Sequence, residues 1–538
     1  MEATQATQAT QEVSPQRRWT LFFVFALVAC FELSLIPRQS LWIDEIFSLA
    51  MATGHSLEHP AATADKTKGD FIETPFPMPA ADWQHYLKHE AWPASPVRVL
   101  RAVLLSDSSP PFYYLLLYFW TLVWGTSDFA LRSFSVLCSL GCFPFVVSVA
   151  RRTGGPQSVG PACILFPLAP LVFYYSTEGR MYSLILLALL ATAWTTLRLQ
   201  EEGSSLSGNM MWIGSSAAGL LTHYFFFFPW AGMVIFLLLR PGKLSRRDIL
   251  LFLLAVSLII LPWYAAAFEY QHHVRSSGKW FKYRLPDYDL VGAARDQVIQ
   301  SFSGSGYGIW GSERGWSYAS LLLFGCVFLV ALFRHRLQLF QGPRLLLWLW
   351  FVGAALAPTA LDFVNGSYMS HHPRYALGAA PAAYFLASFG LTSLGKGVRN
   401  ALLLLIVCSW SSSILSIWRQ DARIGEPYRR LTKAMALTGA KDEAVIVDSI
   451  PSGVLGVARY ANKTTEITSW VEPLGTRKVP NSLIPFTHGY RRILLVNTHG
   501  FHSSIPEETW LRQHFDVVTK RSMGGLEVVD FQSKTETF

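Results

Sequence analysis

The amino-acid sequence predicts an α-helical polytopic membrane protein with about eleven spans, further interfacial helices and a small C-terminal α/β domain. Hydrophobic residues make up 51% of the 538 residues, and charged residues only 15%. A helix needs about 17 to 25 apolar residues to cross a bilayer, and runs of this kind recur from residue 19 to residue 418. Beyond residue 418, short apolar runs alternate with polar segments, as in a soluble α/β domain.

The N-terminal segment predicts a tail followed by an anchor. Residues 1–18 begin with the low-complexity stretch MEATQATQATQEVS and predict a cytoplasmic, disordered tail. The apolar run that starts at Trp19 is too long for the core of a signal peptide and has no small-x-small cleavage site. It is therefore predicted to be an uncleaved first span.

The transmembrane module is predicted to cover residues 19–418. Its predicted spans are 19–37, 128–150, 160–176, 180–198, 210–223, 224–240, 248–268, 317–334, 344–361, 374–393 and 400–418. The 14 apolar residues of 111–124 are the difficult case, since an interfacial helix is more typical of that length than a span.

The positions of the basic residues decide whether 111–124 is predicted to cross the membrane. If 111–124 does not cross and the N-terminus is cytoplasmic, all the basic clusters fall on the cytoplasmic side, as the positive-inside rule requires. These clusters are Arg17/Arg18, Arg151/Arg152, Arg198, Arg240/Lys243/Arg246/Arg247, Arg334/Arg336 and Lys396/Arg399. This topology places a first loop, 38–110, a long loop, 269–316, and the α/β domain, 419–538, outside the membrane.

Composition also excludes some functions. The net charge of +9 comes from these small clusters rather than from a basic stripe with interleaved aromatics, so no nucleic-acid partner is expected. All six cysteines fall in apolar runs, which argues against a disulfide framework and a cysteine-based metal site.

The first candidate site is the pair Asp44 and Glu45, directly after the first span. Adjacent residues on a helix point about 100° apart, so one acid could face a cavity while the other orients it. Two neighbouring carboxylates also raise each other's proton affinity, which favours a general base. The alternative is a polar helix start with no chemical role.

Other polar candidates collect on the same outer side. Glu178 and Arg180 stand in a very short turn, where charged groups are functional or paired. Arg374, which follows His372, has the wrong sign for a helix start, and a bound anion would explain it. His223 interrupts two apolar segments. The alternatives are an ion pair that caps a helix, a snorkelling arginine and a structural histidine.

Five motifs in a fixed order carry a resemblance to a known family. They are WIDEIFS, SSPPFYYLLLYFW, STEGRMYS, LTHY and HPRYALGAAP. Together they resemble the GT-C superfamily of polytopic glycosyltransferases, over about residues 19 to 395. The closest likeness is to the bacterial branch of protein O-mannosyltransferases, lipid A aminoarabinose transferases and lipopolysaccharide-core galacturonosyltransferases. One motif departs: Ser109 stands where many relatives have histidine before the two prolines, so no role for that histidine is carried over.

The resemblance implies a GT-C catalytic module that transfers sugar from a polyprenyl-phosphate donor to a hydroxyl of a glycan, lipid or protein outside a bacterial inner membrane. Asp44 would be the general base and Glu45 its support. The predicted donor-phosphate and substrate-binding residues are Arg374, Tyr375, Arg180, Glu178, Tyr182, His223, His372 and Lys279. No cofactor is implied with certainty, and the need for a divalent metal stays open because relatives differ in it.

Two other classes fit a chain of this composition. A transporter or flippase of a lipid-linked or anionic substrate would place charged residues near mid-membrane, whereas the candidates here lie at the outer ends of spans. A non-catalytic scaffold would not need acids and bases to converge on one cavity. Both alternatives are ranked below the glycosyltransferase.

Overall fold

The structure, a computed structural model, divides the chain into two compact units. The first unit comprises Met1–Leu35 and Ser133–Arg419, and the second comprises Ile36–Arg132 and Gln420–Phe538. The described residues are 15–59, 63–107, 109–273, 290–303, 314–367, 369–423, 425–435, 440–472, 476–498 and 505–534. The low-complexity stretch of the predicted N-terminal tail, 1–14, lies outside them.

Most of the described chain is helical. In chain order the helices are α1 (Pro15–Leu35), α2 (Ile43–Ala52), α3 (Ala80–Gln84), α4 (Pro96–Ser106), α5 (Phe112–Trp124), α6 (Asp128–Gly141), α7 (Phe143–Gly154), α8 (Val159–Leu168), α9 (Pro170–Ser176), α10 (Tyr182–Glu202), α11 (Leu206–Leu220), α12 (Phe227–Leu239), α13 (Arg246–His273), α14 (Leu290–Ser303), α15 (Arg314–His335), α16 (Pro343–Asn365), α17 (Ala380–Thr392), α18 (Lys396–Arg419), α19 (Tyr428–Ala434), α20 (Pro451–Tyr460), α21 (Ile484–Thr487) and α22 (Pro506–His514). The predicted helical class is confirmed.

The first unit contains the helices that can cross a membrane. Within the described ranges, six helices are long and apolar enough to do so, or seven if the bent pair α8 and α9 is one span. The axes of α8 and α9 differ by 58°, because Ala169 is extended before Pro170, whose ring and missing N–H interrupt a helix. Each of the eleven predicted segments contains helix, but the number of spans stays a prediction.

Glycines bring two helices of this unit into close contact. A Cβ at Gly232 of α12 would lie 2.6 Å from the backbone oxygen of Leu349 in α16. A Cβ at Gly353 of α16 would lie 2.8 Å from the backbone oxygen of Phe228 in α12. The two backbones therefore approach one another more closely than any side chain allows, as is common between helices in membranes.

The second unit contains a six-stranded sheet, which confirms the predicted C-terminal α/β domain. Its strands are β1 (Met78–Pro79), β2 (Glu443–Asp448), β3 (Glu466–Thr468), β6 (Arg492–Thr498), β7 (Phe515–Met523) and β8 (Leu526–Ser533), and β4 (Val471–Glu472) pairs with β5 (Thr476–Arg477) separately. The strand order is β1-β3-β2-β6-β8-β7, and β2 is parallel to both of its neighbours. All six residues of β2 are buried, as expected for a central parallel strand.

The segment between α1 and α5 takes part in this sheet. Met78 of β1 pairs with Ile467 of β3, so this segment supplies an edge strand. Glu73 strengthens the connection, since its carboxylate accepts hydrogen bonds from the backbone N–H groups of Ser469, Trp470 and Val471 at 2.6 to 2.9 Å. Residues 36–132 and 420–538 therefore fold as a single unit around one sheet.

Candidate active site

Helix α2 presents the paired acids of the second unit in its first turn. Oε2 of Glu45 accepts a hydrogen bond from the backbone N–H of Trp42 at 3.2 Å, which satisfies a donor at the helix start. Glu45 is completely buried, whereas Asp44 is half-buried. The two neighbouring acids thus differ in their burial.

Glu45 is engaged by a buried arginine. Nε and Nη2 of Arg132 donate to its two carboxylate oxygens at 2.7 and 2.6 Å. The other N–H groups of Arg132 reach the backbone oxygens of Ile36, Gln39 and Ser40 at 2.8 to 2.9 Å. All five guanidinium donors therefore have acceptors, and this arrangement fixes Glu45 as a structural support for α2.

The start of α2 is also fastened to the C-terminal segment. Oε2 of Glu426 accepts from the backbone N–H of Ile43 at 2.9 Å, and its backbone oxygen accepts from Oγ of Ser40 at 2.9 Å. The hydroxyl of Tyr460 accepts from the backbone N–H of Leu41 at 2.8 Å. The segment that leads to Asp44 is therefore held at Ser40, Leu41 and Ile43.

In the first unit, the turn between α9 and α10 carries the STEGRMYS motif. Glu178 and Arg180 are both buried there. The backbone of the turn is tied down, because Oγ1 of Thr177 donates to the backbone oxygen of Tyr174 at 3.0 Å and Oγ of Ser135 donates to that of Arg180 at 3.4 Å. The charged pair therefore lies inside the protein and not on a solvated surface.

A buried acid that the sequence analysis missed holds the segment directly before the HPRYALGAAP motif. Asp362, in the last turn of α16, accepts from Oγ of Ser367 at 2.6 Å and from the backbone N–H of Met369 at 2.7 Å. It also accepts from the backbone N–H and the hydroxyl of Ser370 at 2.8 and 2.5 Å. An acid next to Asn-Gly at the end of an apolar helix is the signal that could have revealed this role.

Tyr375 lies close to aromatic and basic residues of two motifs. Its ring stacks on Phe225 with centroids 4.4 Å apart, and the rings of His223 and His372 lie 6.4 and 6.2 Å away. The guanidinium carbon of Arg374 lies 5.3 Å from the centre of the same ring. Nδ1 of His223 accepts from the backbone N–H of Phe225, so the neutral imidazole carries its proton on Nε2.

Tyr182 joins this cluster to the turn after α9. Its ring lies 6.2 Å from that of His223. Arg374, Arg180 and Glu178 all interact electrostatically with its hydroxyl. Two guanidinium groups and one carboxylate therefore act electrostatically on the Tyr182 hydroxyl.

The first unit thus brings together seven of the predicted residues. They are Glu178, Arg180, Tyr182, His223, His372, Arg374 and Tyr375. Lys279 lies outside the described residues. In the parts of the chain that the structure describes, no three His, Cys, Asp or Glu side chains are grouped so that they could hold a metal ion.

Comparison with known proteins identifies a similar family and similar folds. A family model described as dolichyl-phosphate-mannose-protein mannosyltransferase matches residues 108–265, which include three of the five motifs. The crystal structure of ArnT from Cupriavidus metallidurans bound to undecaprenyl phosphate is similar with a TM-score of 0.58 at 12% identity, over 94% of this chain and 97% of that chain. The apo structure of that protein gives a TM-score of 0.59 at 13% identity, over 96% and 98%.

The chain has a GT-C fold. The predicted resemblance is therefore confirmed for the fold, over nearly the full length of both chains. A GT-C fold together with apolar helices of spanning length makes this an integral membrane protein. No curated protein matches the sequence.

Proposed function

We propose that the protein is an inverting glycosyltransferase. It moves a sugar from a polyprenyl-phosphate-linked donor to a hydroxyl of a glycan, lipid or protein on the outer face of the membrane. The observation that carries the proposal is that Arg180 and Arg374 both interact electrostatically with the hydroxyl of Tyr182, inside a GT-C fold. A similar structure, that of ArnT, holds undecaprenyl phosphate.

Arg180 and Arg374 are suited to the step in which the donor phosphate leaves the sugar. When the bond from the anomeric carbon to the phosphate breaks, the electron pair stays on the phosphate oxygen, and its negative charge grows. Guanidinium groups bind phosphate oxygens through paired N–H donors. Fixed cations in a buried site stabilise charge that develops in the transition state. Arg180 and Arg374 supply this stabilisation, and Nε2–H of His223 offers a further donor.

Asp44 suits the acceptor half. As the acceptor oxygen forms its bond to the anomeric carbon, its proton passes to the Asp44 carboxylate, and attack opposite the phosphate inverts the configuration. Glu45 supports this role, because its bonds to Arg132 and Trp42 hold the first turn of α2 in place. The two acids therefore have different tasks.

The positive-inside pattern supports the location of the reaction. It places the N-terminus in the cytoplasm and the segments 38–110, 269–316 and 419–538 outside. Nucleotide sugars are absent there, so a lipid-linked sugar is the donor that this compartment offers. A bacterial inner membrane fits the cysteine pattern and the short loops.

Purified protein incubated with a panel of polyprenyl-phosphate sugars tests the proposal. Transfer or hydrolysis of one donor should fall at least 1,000-fold in Asp44→Asn, since both the base and its charge are lost. Donor binding, measured by thermal stabilisation, should stay within about twofold. Asp516→Asn is the matched control, because Asp516 is exposed on β7 of the same unit.

Two outcomes would overturn the proposal. One is the absence of turnover with every donor in the panel and with native lipid extract. The other is an Asp44→Asn protein that transfers sugar as fast as Asp516→Asn, which would remove Asp44 as the base. The same assay with and without a chelator decides the question of a divalent metal.

A further inference from the structure

The second unit contains a cleft that the proposed reaction does not use. Its volume is about 540 Å³, and it lies where the start of α6 meets α19 and the end of α20. Lys88, Thr126, Asp128, Arg429, Arg459 and Tyr460 are among its lining residues. The cleft therefore combines apolar surface with charged side chains, three of them basic.

The charges in the cleft do not cancel. Oδ1 of Asp128 accepts from Nε of Arg459 at 2.8 Å, and Oδ2 accepts from Nη2 of Arg429 at 2.5 Å. The hydroxyl of Tyr460 also donates to Oδ2 at 2.6 Å. One carboxylate thus balances one of two guanidinium groups, and Lys88 adds a further cation whose described partner is the neutral side chain of Gln84. The lining has a net charge of +2.

Both arginines are held in place before any ligand arrives. Nη2 of Arg459 donates to the backbone oxygen of Thr126 at 2.7 Å, and Nη1 of Arg429 donates to that of Pro37 at 2.6 Å. Since their rotamers are fixed by these bonds, little conformational entropy is lost when an anion binds. Preorganised guanidinium groups favour phosphate over a simple monovalent anion.

An exposed apolar side chain lines the cleft, and the exposed apolar end of α5 lies close to it in sequence. Phe129 lines the cleft and is 47% exposed. Helix α5, which ends two residues before Thr126, exposes 75% of Val123 and 63% of Trp124. In a membrane protein, such a face lies against acyl chains, and tryptophan marks the level of the headgroups. A ligand that spans both surfaces must be anionic at one end and apolar at the other.

We propose that this cleft binds the phosphate headgroup of an anionic membrane lipid, whose acyl chains lie along the exposed face of α5. Lys88, Arg429 and Arg459 contact the phosphate, and Phe129 and Trp124 contact the first carbons of the chains. The proposal concerns binding alone and does not depend on the transferase reaction, because none of these residues takes part in it.

Lipid binding to the detergent-solubilised protein, measured by native mass spectrometry, tests the proposal. Phosphatidylglycerol should bind roughly 10- to 30-fold more tightly than phosphatidylcholine with the same chains, since each basic residue near a headgroup contributes about 1 kcal/mol. The variant Lys88→Gln/Arg429→Gln should lose this preference. The matched control, Lys478→Gln/Arg491→Gln, removes two exposed cations of the same unit and should keep it.

Two further experiments distinguish a lipid from free phosphate and replace a variant that does not fold. Inorganic phosphate at millimolar concentration should not displace phosphatidylglycerol; if it does, the site is one for free phosphate and the lipid proposal is wrong. If Arg429→Gln prevents folding, Lys88→Glu replaces it, because Lys88 is exposed and its reversal should lower the phosphatidylglycerol affinity at least tenfold. Equal binding of the two lipids by the native protein, or an unchanged preference in the cleft variant, would overturn the proposal.

Discussion

Glu45→Gln is expected to destabilise the second unit strongly. The substitution removes the carboxylate that pairs with the completely buried Arg132. It also turns one of the two acceptors into an NH2 group that opposes an arginine N–H. Breaking a buried ion pair by removing one partner costs about 3 to 5 kcal/mol, because the remaining charge is left in a low dielectric.

The neighbouring acid provides the contrast. Asp44→Asn changes a half-buried side chain whose carboxylate is not held by Arg132, so we expect a change of less than about 1 kcal/mol. For a unit of this size, about 2 to 4 °C of unfolding temperature corresponds to each kcal/mol. Glu45→Gln should therefore unfold about 10 °C below the native protein, and Asp44→Asn within about 3 °C of it.

Tryptophan fluorescence of the detergent-solubilised proteins during heating measures both changes, with sugar transfer assayed on the same samples at a temperature where each is folded. The double variant Glu45→Gln/Arg132→Met should recover part of the loss, because no unpaired charge is left. An unfolding temperature for Glu45→Gln that equals that of the native protein would refute this account of the ion pair. Equal losses in both single variants would refute the division of roles between the two acids.

Three further substitutions test other parts of the molecule. Arg374→Ala should weaken donor binding by about 10- to 100-fold, since a charged hydrogen bond to phosphate contributes about 1.5 to 3 kcal/mol; titration with a polyprenyl phosphate measures this, and Arg334→Ala should bind normally. Burial and, to a smaller extent, the charge of Arg98 lower the pKa of His55 from 6.5 to about 3. Protonation therefore favours the unfolded chain, so the free energy of unfolding decreases as the pH falls from 6.5 toward 3. Melting curves at pH 7.5 and 5 should show a loss of roughly 2 kcal/mol that His55→Gln lacks; identical pH dependence in both proteins would contradict this. Glu73→Gln should cost about 2 kcal/mol, because one of the two acceptor oxygens becomes an NH2 group that faces a backbone N–H donor, either that of Val471 or those of Ser469 and Trp470; a melting temperature unchanged from the native value would show that the carboxylate adds nothing.

The apolar pattern predicted most of the secondary structure. Runs of membrane-spanning length and the buried runs of β2, β6 and β8 are regular features that a sequence displays directly. The apolar pattern does not reveal strand β7. It is an edge strand whose central residues are mostly exposed, so its sequence has no continuous apolar run. The bend after α8 was also missed, although Pro167 and Pro170 are visible signals of it.

The candidate site was predictable only where its signals are local. Each motif marks residues that lie within a few positions of one another, and the structure groups those of the first unit. The partner of Glu45, in contrast, is 87 residues away, and no spacing rule connects the two. The family resemblance alone favoured Asp44 over Glu45 as the base, and nothing in the sequence indicated that a distant arginine pairs with Glu45.

The shared sheet of residues 36–132 and 420–538 sets the order in which this protein can mature. Ser40 is separated from Glu426 by 386 residues, and Glu73 from Ser469 by 396. At about 5 to 20 residues per second of synthesis, the first segment waits about 20 to 80 seconds for its partner. During that interval Glu73 and the edge strand β1 have none of the contacts described for them. A messenger truncated before codon 420 would therefore produce a chain whose segment 36–132 lacks these contacts and cannot complete the shared sheet.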